Sequence, residues 1–207
     1  MKTRTIPTSG SLLTAVAIAT AALTITACTT TLPQSQKSVA EQRQDINTRS
    51  DAALKRLYEV APESRQLLSQ AKGVLIFPRV LGGGFILGAE HGQGVLRVGG
   101  ENQGYYSTSS GSIGFQAGAQ SKAIIFVFNT QEALDSFRSS NGWTAGVDAT
   151  VAVANLSATG AVDLNTLNQP VVGFVMTNAG LMAGVSLEGT KVSRLDDQGR
   201  PLDGTAQ

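Results

Sequence analysis

The chain has 207 residues, enough for one domain with a substantial buried core. Its formal net charge is +1 and only 15% of residues are charged, so the total charge implies no strongly charged partner such as a nucleic acid. One cysteine (Cys28) and one histidine (His91) exclude a disulfide within the chain and a Cys/His metal cluster.

In chain order, the first 28 residues read as a targeting segment. Lys2 and Arg4 form a positive start, residues 12–25 are apolar or small and uncharged, and Thr26-Ala27 precede Cys28. That is the build of a secretory signal peptide, and the run is short for a membrane-spanning helix. Ile25-Thr26-Ala27-Cys28 resembles a bacterial lipobox. The resemblance implies cleavage after residue 27, diacylglycerol on the Cys28 sulfur and a third acyl chain, palmitate or similar, on its amino group. Three chains anchor stably where one is marginal. Thr29 rather than Asp after the cysteine implies, by analogy with Gram-negative lipoproteins, the outer membrane, with the domain facing the periplasm or the cell surface. Without Lys2 and Arg4 the mature chain carries 14 basic side chains against 15 acidic ones, which again disfavours nucleic acid.

Residues 29–44 are polar with little periodicity, and 28–46 are expected to be a flexible tether. The domain proper is expected over residues 47–195, followed by a loose polar tail at 196–207. Leu54, Leu57, Tyr58 and Ala61 recur at helical spacing, and Ser50 or Asn47 offers a cap. A second short helix is expected after Pro62, with Leu67, Leu68 and Ala71 on its apolar side and Gly73 at its end. Such a stripe either packs as core or lies on a membrane.

From Val74 the pattern becomes β. Strands are expected at residues 74–78, 85–89, 95–98, 105–106 and 113–119, with the serine run Ser107–Ser112 as a loop. AIIFVFN, residues 123–129, is continuously apolar and predicts a buried strand. Asn129 or Thr130 caps a helix whose buried side is Ala133, Leu134 and Phe137. Further strands are expected in residues 147–157, 160–165 and 171–177. Alternation across residues 181–192 predicts a half-buried antiparallel strand.

The glycines pose the main question. Residues 81–100, LGGGFILGAEHGQGVLRVGG, hold eight of the chain's 23. A Walker loop needs a lysine after its last glycine, and none stands at that spacing; Arg97 occupies the place of the third glycine of a dinucleotide fingerprint begun at Gly92 and Gly94. The residues after Gly94 are strand-like, so no helix N-terminus is available to a phosphate. Gly84, Gly88 and Gly92 are four apart, as are Gly114 and Gly118, Gly142 and Gly146, and Gly180 and Gly184. On strands, residues four apart share a face. The expectation is a side-chain-free stripe that lets the sheet bend, or lets a backbone or ligand approach closely. A strongly bent sheet also encloses a cavity.

AKGVLIFPRVLGGGFILGAEHGQGVLRV resembles the start of the SYLF family core. The correspondence runs through Ala71-Lys72-Gly73, the apolar residues 74–77, Pro78, and the E-x-G-x-G of Glu90, Gly92 and Gly94. AIIFVFNTQEALDSF and NAGLMAGVSLEGTKV are similar to later family segments, so the resemblance covers roughly residues 47–195. It implies a lipid-binding module, with eukaryotic members on phosphoinositide membranes and some acting on actin. Neither actin nor a headgroup choice carries over to a chain with a bacterial lipobox.

Catalytic constellations are thin. His91 lies near Glu90 and between glycines, so a Ser–His–Asp triad would need it with Ser109 or Ser112, and no G-x-S-x-G elbow exists. Glu90 and Asp148 could pair as carboxylates, but nothing in the sequence brings them together. Lys72, Arg79, Arg97 and Lys122 could hold acidic headgroups if they share one face. Trp143 is either core or a membrane-facing aromatic. The expected protein is α+β, with a strongly curved antiparallel sheet, barrel-like or sandwich. Helices stand at its N-terminal side and one helix is inserted between strands. It is expected to bind acidic phospholipid or fatty acid without catalysis and without a cofactor or metal. The alternative is a structural lipoprotein that holds envelope proteins and binds no lipid.

Overall fold

A computed structural model describes residues 37–84, 87–113, 118–140, 142–154, 168–182 and 184–203. The signal peptide, Cys28, Gly114 and the strand expected at 160–165 lie outside the described residues.

Helix α1 spans Val39–Val60 and starts eight residues before the expected domain boundary at Asn47. The cap is Ser38 rather than Asn47 or Ser50: its hydroxyl accepts from the Glu41 N–H at 3.2 Å, and Glu41 accepts from the Ser38 N–H at 2.8 Å. This reciprocal pair satisfies two donors that would otherwise be orphaned. Ser50 instead sits buried in the helix. Helix α2 (Ser64–Gln70) follows Pro62 as expected.

Four long strands come next: β1 (Gly73–Gly84), β2 (Leu87–Val98), β3 (Glu101–Ile113) and β4 (Gly118–Phe128). The strands expected at 74–78, 85–89 and 95–98 are thus two continuous ones. The serine run is part of β3 and not a loop, because Ser107–Ser112 pairs residue by residue with Gly88–Gln93. Gly99 and Gly100, both at positive φ, make the tight β2–β3 turn. Helix α3 (Gln131–Ser139) carries the predicted buried Leu134 and Phe137, capped by the Thr130 hydroxyl. The shorter strands are β5 (Trp143–Thr144), β6 (Ala152–Val153), β7 (Val171–Thr177), β8 (Gly180–Leu181) and β9 (Lys191–Arg194).

The order β5-β9-β3-β2-β1-β4-β7-β6, with β8 beside β7, is a strongly curled sheet that forms a half-barrel. All pairings are antiparallel except β6 with β7, so the sheet is mixed rather than purely antiparallel. The half-buried strand expected over 181–192 is absent: only its ends, in β8 and β9, pair. Gly184 and Gly189 take positive φ and turn the chain away from a ladder. Leu187 nevertheless packs inward, into space left by Gly173. The tail is held over residues 196–203, with Leu195 bridging Pro201 and Lys191 Nζ 2.8 Å from Asp203.

Both faces of the sheet are buried. One face, here called inner, carries Leu75, Phe77, Leu96, Ile124, Phe126 and Phe128 under α3 and Trp143. Phe137 stacks at 4.9 Å from Phe128 and 5.6 Å from Trp143. The other face carries Ile76, Val95, Ile125, Val127, Val172 and Phe174 beneath Ile46, Ala53, Leu57 and Ala61 of the N-terminal helical region. This settles the apolar stripe of α1 as core. β4 reads as a continuous apolar run because its alternate residues serve the two cores in turn.

Candidate functional site

Pro78 is the key to the local geometry. β1 lies between β2 and β4, and a proline within a central strand removes a ladder donor. The strand answers with a β-bulge: Phe77 and Pro78 together oppose Gly94, and the register against β4 shifts between Phe77 and Val80. Leu75 and Phe77 face the inner core, so strict alternation would send residue 79 inward as well. The extra residue resets the parity. Val80 faces the inner core, and Arg79 comes to the α1 side opposite Gln93.

There Arg79 borders a cleft of about 420 Å³ between α1, the bulge and the ends of β4 and β7. Arg49 and Arg56 reach it from α1, seven residues and so two helical turns apart on one helix face. Its lining is mixed, with Ala52, Ala53, Pro78, Ala123 and Met176 beside the polar Ser121, Thr177 and Asn178. Among the described residues, no aspartate or glutamate lines it. Arg49 Nε lies 2.9 Å from Asp45, whose carboxyl is held below its usual range chiefly by that hydrogen bond. Arg56 donates to the Asn178 side-chain oxygen at 3.3 Å. Arg79 is exposed and, among the described residues, has neither hydrogen-bond nor ion-pair partner.

Lys122 is also among the lining residues, but it pairs with the inner-facing Val80, and its ammonium lies on that inner side, 2.8 Å from Glu90. Glu90 stands on β2 and Lys122 on β4, two strands or roughly 10 Å apart. Gly82 lies between them, paired with Glu90, and its missing side chain leaves Glu90 room: a Cβ there would come within 3.0 Å of Glu90 Cγ. Ser110 donates to the same carboxylate at 2.9 Å. The E-x-G-x-G stretch is therefore structural. A Cβ on Gly92 would come within 2.8 Å of the Arg79 carbonyl oxygen, and one on Gly94 would strike the Ile76 carbonyl oxygen and the Phe77 ring. At Gly92 and Gly94 the missing side chains leave room for the β1 backbone and the Phe77 ring.

The other expected site residues separate. Arg79 and Lys122 lie near each other along β1 and β4 but on opposite faces of the sheet, because Lys122 pairs with the inner-facing Val80. Lys72 is exposed at the opposite end of β1, roughly 20 Å away along the strand. Arg97 is committed elsewhere, 2.6 Å from Asp51 of α1 and 3.2 Å from Asn102. Trp143 is core, 1% exposed, and offers nothing to a membrane because its ring is enclosed by Phe126, Phe128 and Phe137. Of the stripe glycines, Gly84 pairs with both Gly88 and Gly118 in the ladder. Gly146 and Gly184 have positive φ outside the strands, Gly180 has positive φ at the start of β8 opposite Thr177, and Gly142 stands in a bend before β5. His91 is exposed on β2, not in a turn, and pairs with Leu81 and Ser109. Glu90 and Asp148 do not meet in a carboxylate pair: Asp148 instead accepts the Thr144 N–H at 2.6 Å. Among the described residues no group of acidic, histidine or cysteine side chains could hold a metal, and no helix is long and apolar enough to cross a membrane.

Sequence reasoning misses Arg49 and Arg56, although their seven-residue spacing on an amphipathic helix is a usable signal. Their relevance depends on the bulge, which appears only once β1 is paired on both sides.

Residues 109–201 match the family model Ysc84, described as "Las17-binding protein actin regulator". The chain is 29% identical over 130 residues to SH3 domain-containing YSC84-like protein 1 of Pongo abelii, covering 60% of this chain and 37% of that protein. It is 30% identical over 146 residues to protein YSC84 of Saccharomyces cerevisiae, covering 67% of this chain and 31% of the relative. An SH3 domain-containing protein of Schizosaccharomyces pombe is 29% identical over 154 residues, covering 70% of this chain and 34% of its own length. The chain thus spans about a third of the length of these curated relatives. With the curled sheet and its helices in place, the chain belongs, through this domain, to the Ysc84, or SYLF, family.

Proposed function

We propose that this chain is a non-catalytic lipid-binding protein of the bacterial envelope, anchored through acyl chains on Cys28 and presenting its SYLF domain to membrane lipid. The observation that carries the reading is the cleft beside the bulge, where Arg49, Arg56 and Arg79 stand beside apolar Ala53, Pro78, Ala123 and Met176 and, among the described residues, no acidic residue joins the lining. A lipid has the same division, an anionic head joined to apolar chains. The near-neutral total charge supports a local site rather than attraction by the whole surface.

The test is native mass spectrometry of the full chain extracted from bacterial membranes in mild detergent, with palmitate labelling alongside. The reading expects a co-purifying acidic phospholipid or fatty acid, and label that is lost in Cys28→Ser. A chain that carries no lipid ligand and does not bind acidic vesicles would overturn it.

A second reading has a specific observation in its favour: the matched family model is described by a protein partner. In that reading the domain holds an envelope protein and binds no lipid. Reproducible cross-linking to one protein, with no response to any lipid, would select it.

A further inference from the structure

We infer that the rim between α3 and the β3–β9 pair is a docking site for an acidic protein segment, whose carboxylate is received by Arg194, Arg138 and the Tyr106 hydroxyl over the bare backbone of Gly104. The inference goes beyond lipid binding. The rim belongs to the inner face, across the sheet from the α1 cleft, and its chemistry does not depend on that cleft.

Tyr106 is 5% exposed, with its ring 5.1 Å from Phe137 of α3. A buried phenol ordinarily finds a hydrogen-bond partner. This one makes no hydrogen bond among the described residues. Two residues earlier on the same strand face stands Gly104, which is half-buried. A Cβ on Gly104 would lie 3.8 Å from the Tyr106 hydroxyl oxygen and 3.7 Å from Arg194 Nε, and its nearest neighbour would be the Tyr106 ring edge at 3.4 Å. Those are ordinary contact distances, so the glycine leaves a niche that takes one atom without strain. A phenol and a guanidinium border it. Arg194 is the cross-strand partner of Tyr106, which puts both side chains on the same face.

Arg138 brings a second guanidinium from the last turn of α3, where the helix dipole favours a cation. Both arginines are exposed, and neither has a hydrogen bond or ion pair among the described residues. Both lie within electrostatic reach of the phenol: burial raises it, while Arg194 and then Arg138 act in the opposite sense. Burial prevails, so the phenol keeps its proton at neutral pH and remains a donor.

The rim thus offers donors and two uncompensated positive charges. A carboxylate oxygen in the niche accepts from the Tyr106 O–H and the Arg194 Nε–H, and its second oxygen accepts from an Arg194 Nη–H in the side-on, two-pronged manner of guanidinium pairs. A flat carboxylate enters a one-atom niche edge-on, whereas a tetrahedral phosphate is too broad. Beneath the niche Phe128, Phe137 and Trp143 fill the inner core, so no acyl chain follows the carboxylate inward. Arg138 is left to balance a second carboxylate. Two neighbouring acidic side chains on one protein segment meet both demands, and Tyr and Arg are residue types that concentrate binding energy at protein interfaces.

The test uses the full chain in phosphatidylcholine nanodiscs and a fluorescent tetraglutamate peptide followed by anisotropy. Saturable binding is expected, displaced by unlabelled tetraglutamate but not by tetraglutamine or equimolar inorganic phosphate. Arg194→Ser and Arg138→Ser should each weaken it roughly tenfold, the size of a lost charge-assisted hydrogen bond. Tyr106→Phe removes only the hydroxyl and should weaken binding roughly threefold or more, with no fall in melting temperature, because no protein partner is lost. A merely structural hydroxyl would do the reverse. Gly104→Ala should leave the melting temperature in place and still abolish most binding, since its methyl group occupies the niche. Lys55→Ser removes a charge from the exposed side of α1 and should change nothing.

No saturable tetraglutamate binding, or binding indifferent to Arg194→Ser and Gly104→Ala, overturns the site. Displacement by phosphate as readily as by tetraglutamate overturns the carboxylate assignment. Phosphatidylglycerol vesicles that bind the parent chain but not Arg194→Ser would give the rim to lipid and overturn the protein partner. Vesicle binding retained in Arg194→Ser while tetraglutamate binding is lost supports the site, and loss of vesicle binding in the parent chain alone ends the lipid reading and leaves the rim standing.

Discussion

The two faces of the sheet solve the same burial problem with different materials. The inner face is closed by aromatic rings: Phe77, Phe126, Phe128, Phe137, Tyr106 and Trp143 form a connected cluster with centroids 4.9 to 6.3 Å apart. Burial there pushes the Tyr106 phenol above its ordinary range. The α1 face is mainly aliphatic, with Phe174 as a buried ring, and part of its helix is held by polar clamps at the rim. Arg97 grips Asp51, Asn47 donates to Tyr105, and the Arg43 guanidinium lies over the Tyr105 ring at 5.0 Å. Under the proposed reading, this difference separates stability from lipid recognition. Rings seal one side, while the helix-covered side leaves a charged cleft where α1 meets the bulge.

Four substitutions or titrations would break or sharpen that contrast. The largest effect is expected at Trp143→Ala, about 4 kcal/mol lost in chemical denaturation, as for large aromatic truncations in cores. A loss no greater than that of a surface residue would mean that the inner face is not the stabilising one. Next comes Gly94→Ala, expected to cost about 1–3 kcal/mol by overpacking, because its Cβ has only the Ile76 carbonyl and the Phe77 ring to meet. A neutral or stabilised Gly94→Ala would contradict the close approach of β1 at Gly94. Arg97→Ala should cost only about 0.5–1 kcal/mol, since Asp51 is two-thirds exposed and solvent screens the pair.

The smallest effect is a pH dependence at the start of α1. The Glu41 carboxyl is lowered from 4.5, first by the Ser38 backbone N–H, and Asp45 from 3.8, first by Arg49. Carboxyls with depressed folded values stabilise above their unfolded values and lose that contribution as pH falls through the folded ones. Amide exchange in residues 39–45 should therefore quicken below about pH 4 before the rest of the helix responds. Ser38→Ala should flatten the Glu41 part of this dependence, and an unchanged profile would remove the capping box from the account.

Much of this fold is legible in the sequence, and the losses have identifiable causes. β4 is readable because both its faces are buried, so its apolar run is unbroken. α3 is readable because its cap and buried face are local. The first two turns of α1 are not, since residues 41–45 are polar and the segment is held by Ser38 and by contact of Arg43 with the distant Asp196 carbonyl. The serine strand is not, because ladder bonds to β2 and β9 override its loop-like composition. The strand expected at 181–192 fails for the opposite reason: good alternation, but glycines whose backbone turns. As for the site, Arg79 and Lys122 stand out in the sequence as basic residues near the glycine-rich strands, yet sequence alone gives no parity across a bulge. Counting strictly by twos from Leu75 sends Arg79 to the wrong face.

The central claim is that lipid recognition belongs to the α1 side, at the bulge. Hydrogen exchange of the full chain, with and without acidic phospholipid vesicles, tests it most directly. Protection is expected to rise at residues 49–56 and 78–80, with no matching rise at residues 131–139 of α3 on the opposite face. Protection confined to α3, or vesicle binding that leaves residues 49–56 and 78–80 unchanged, would contradict it.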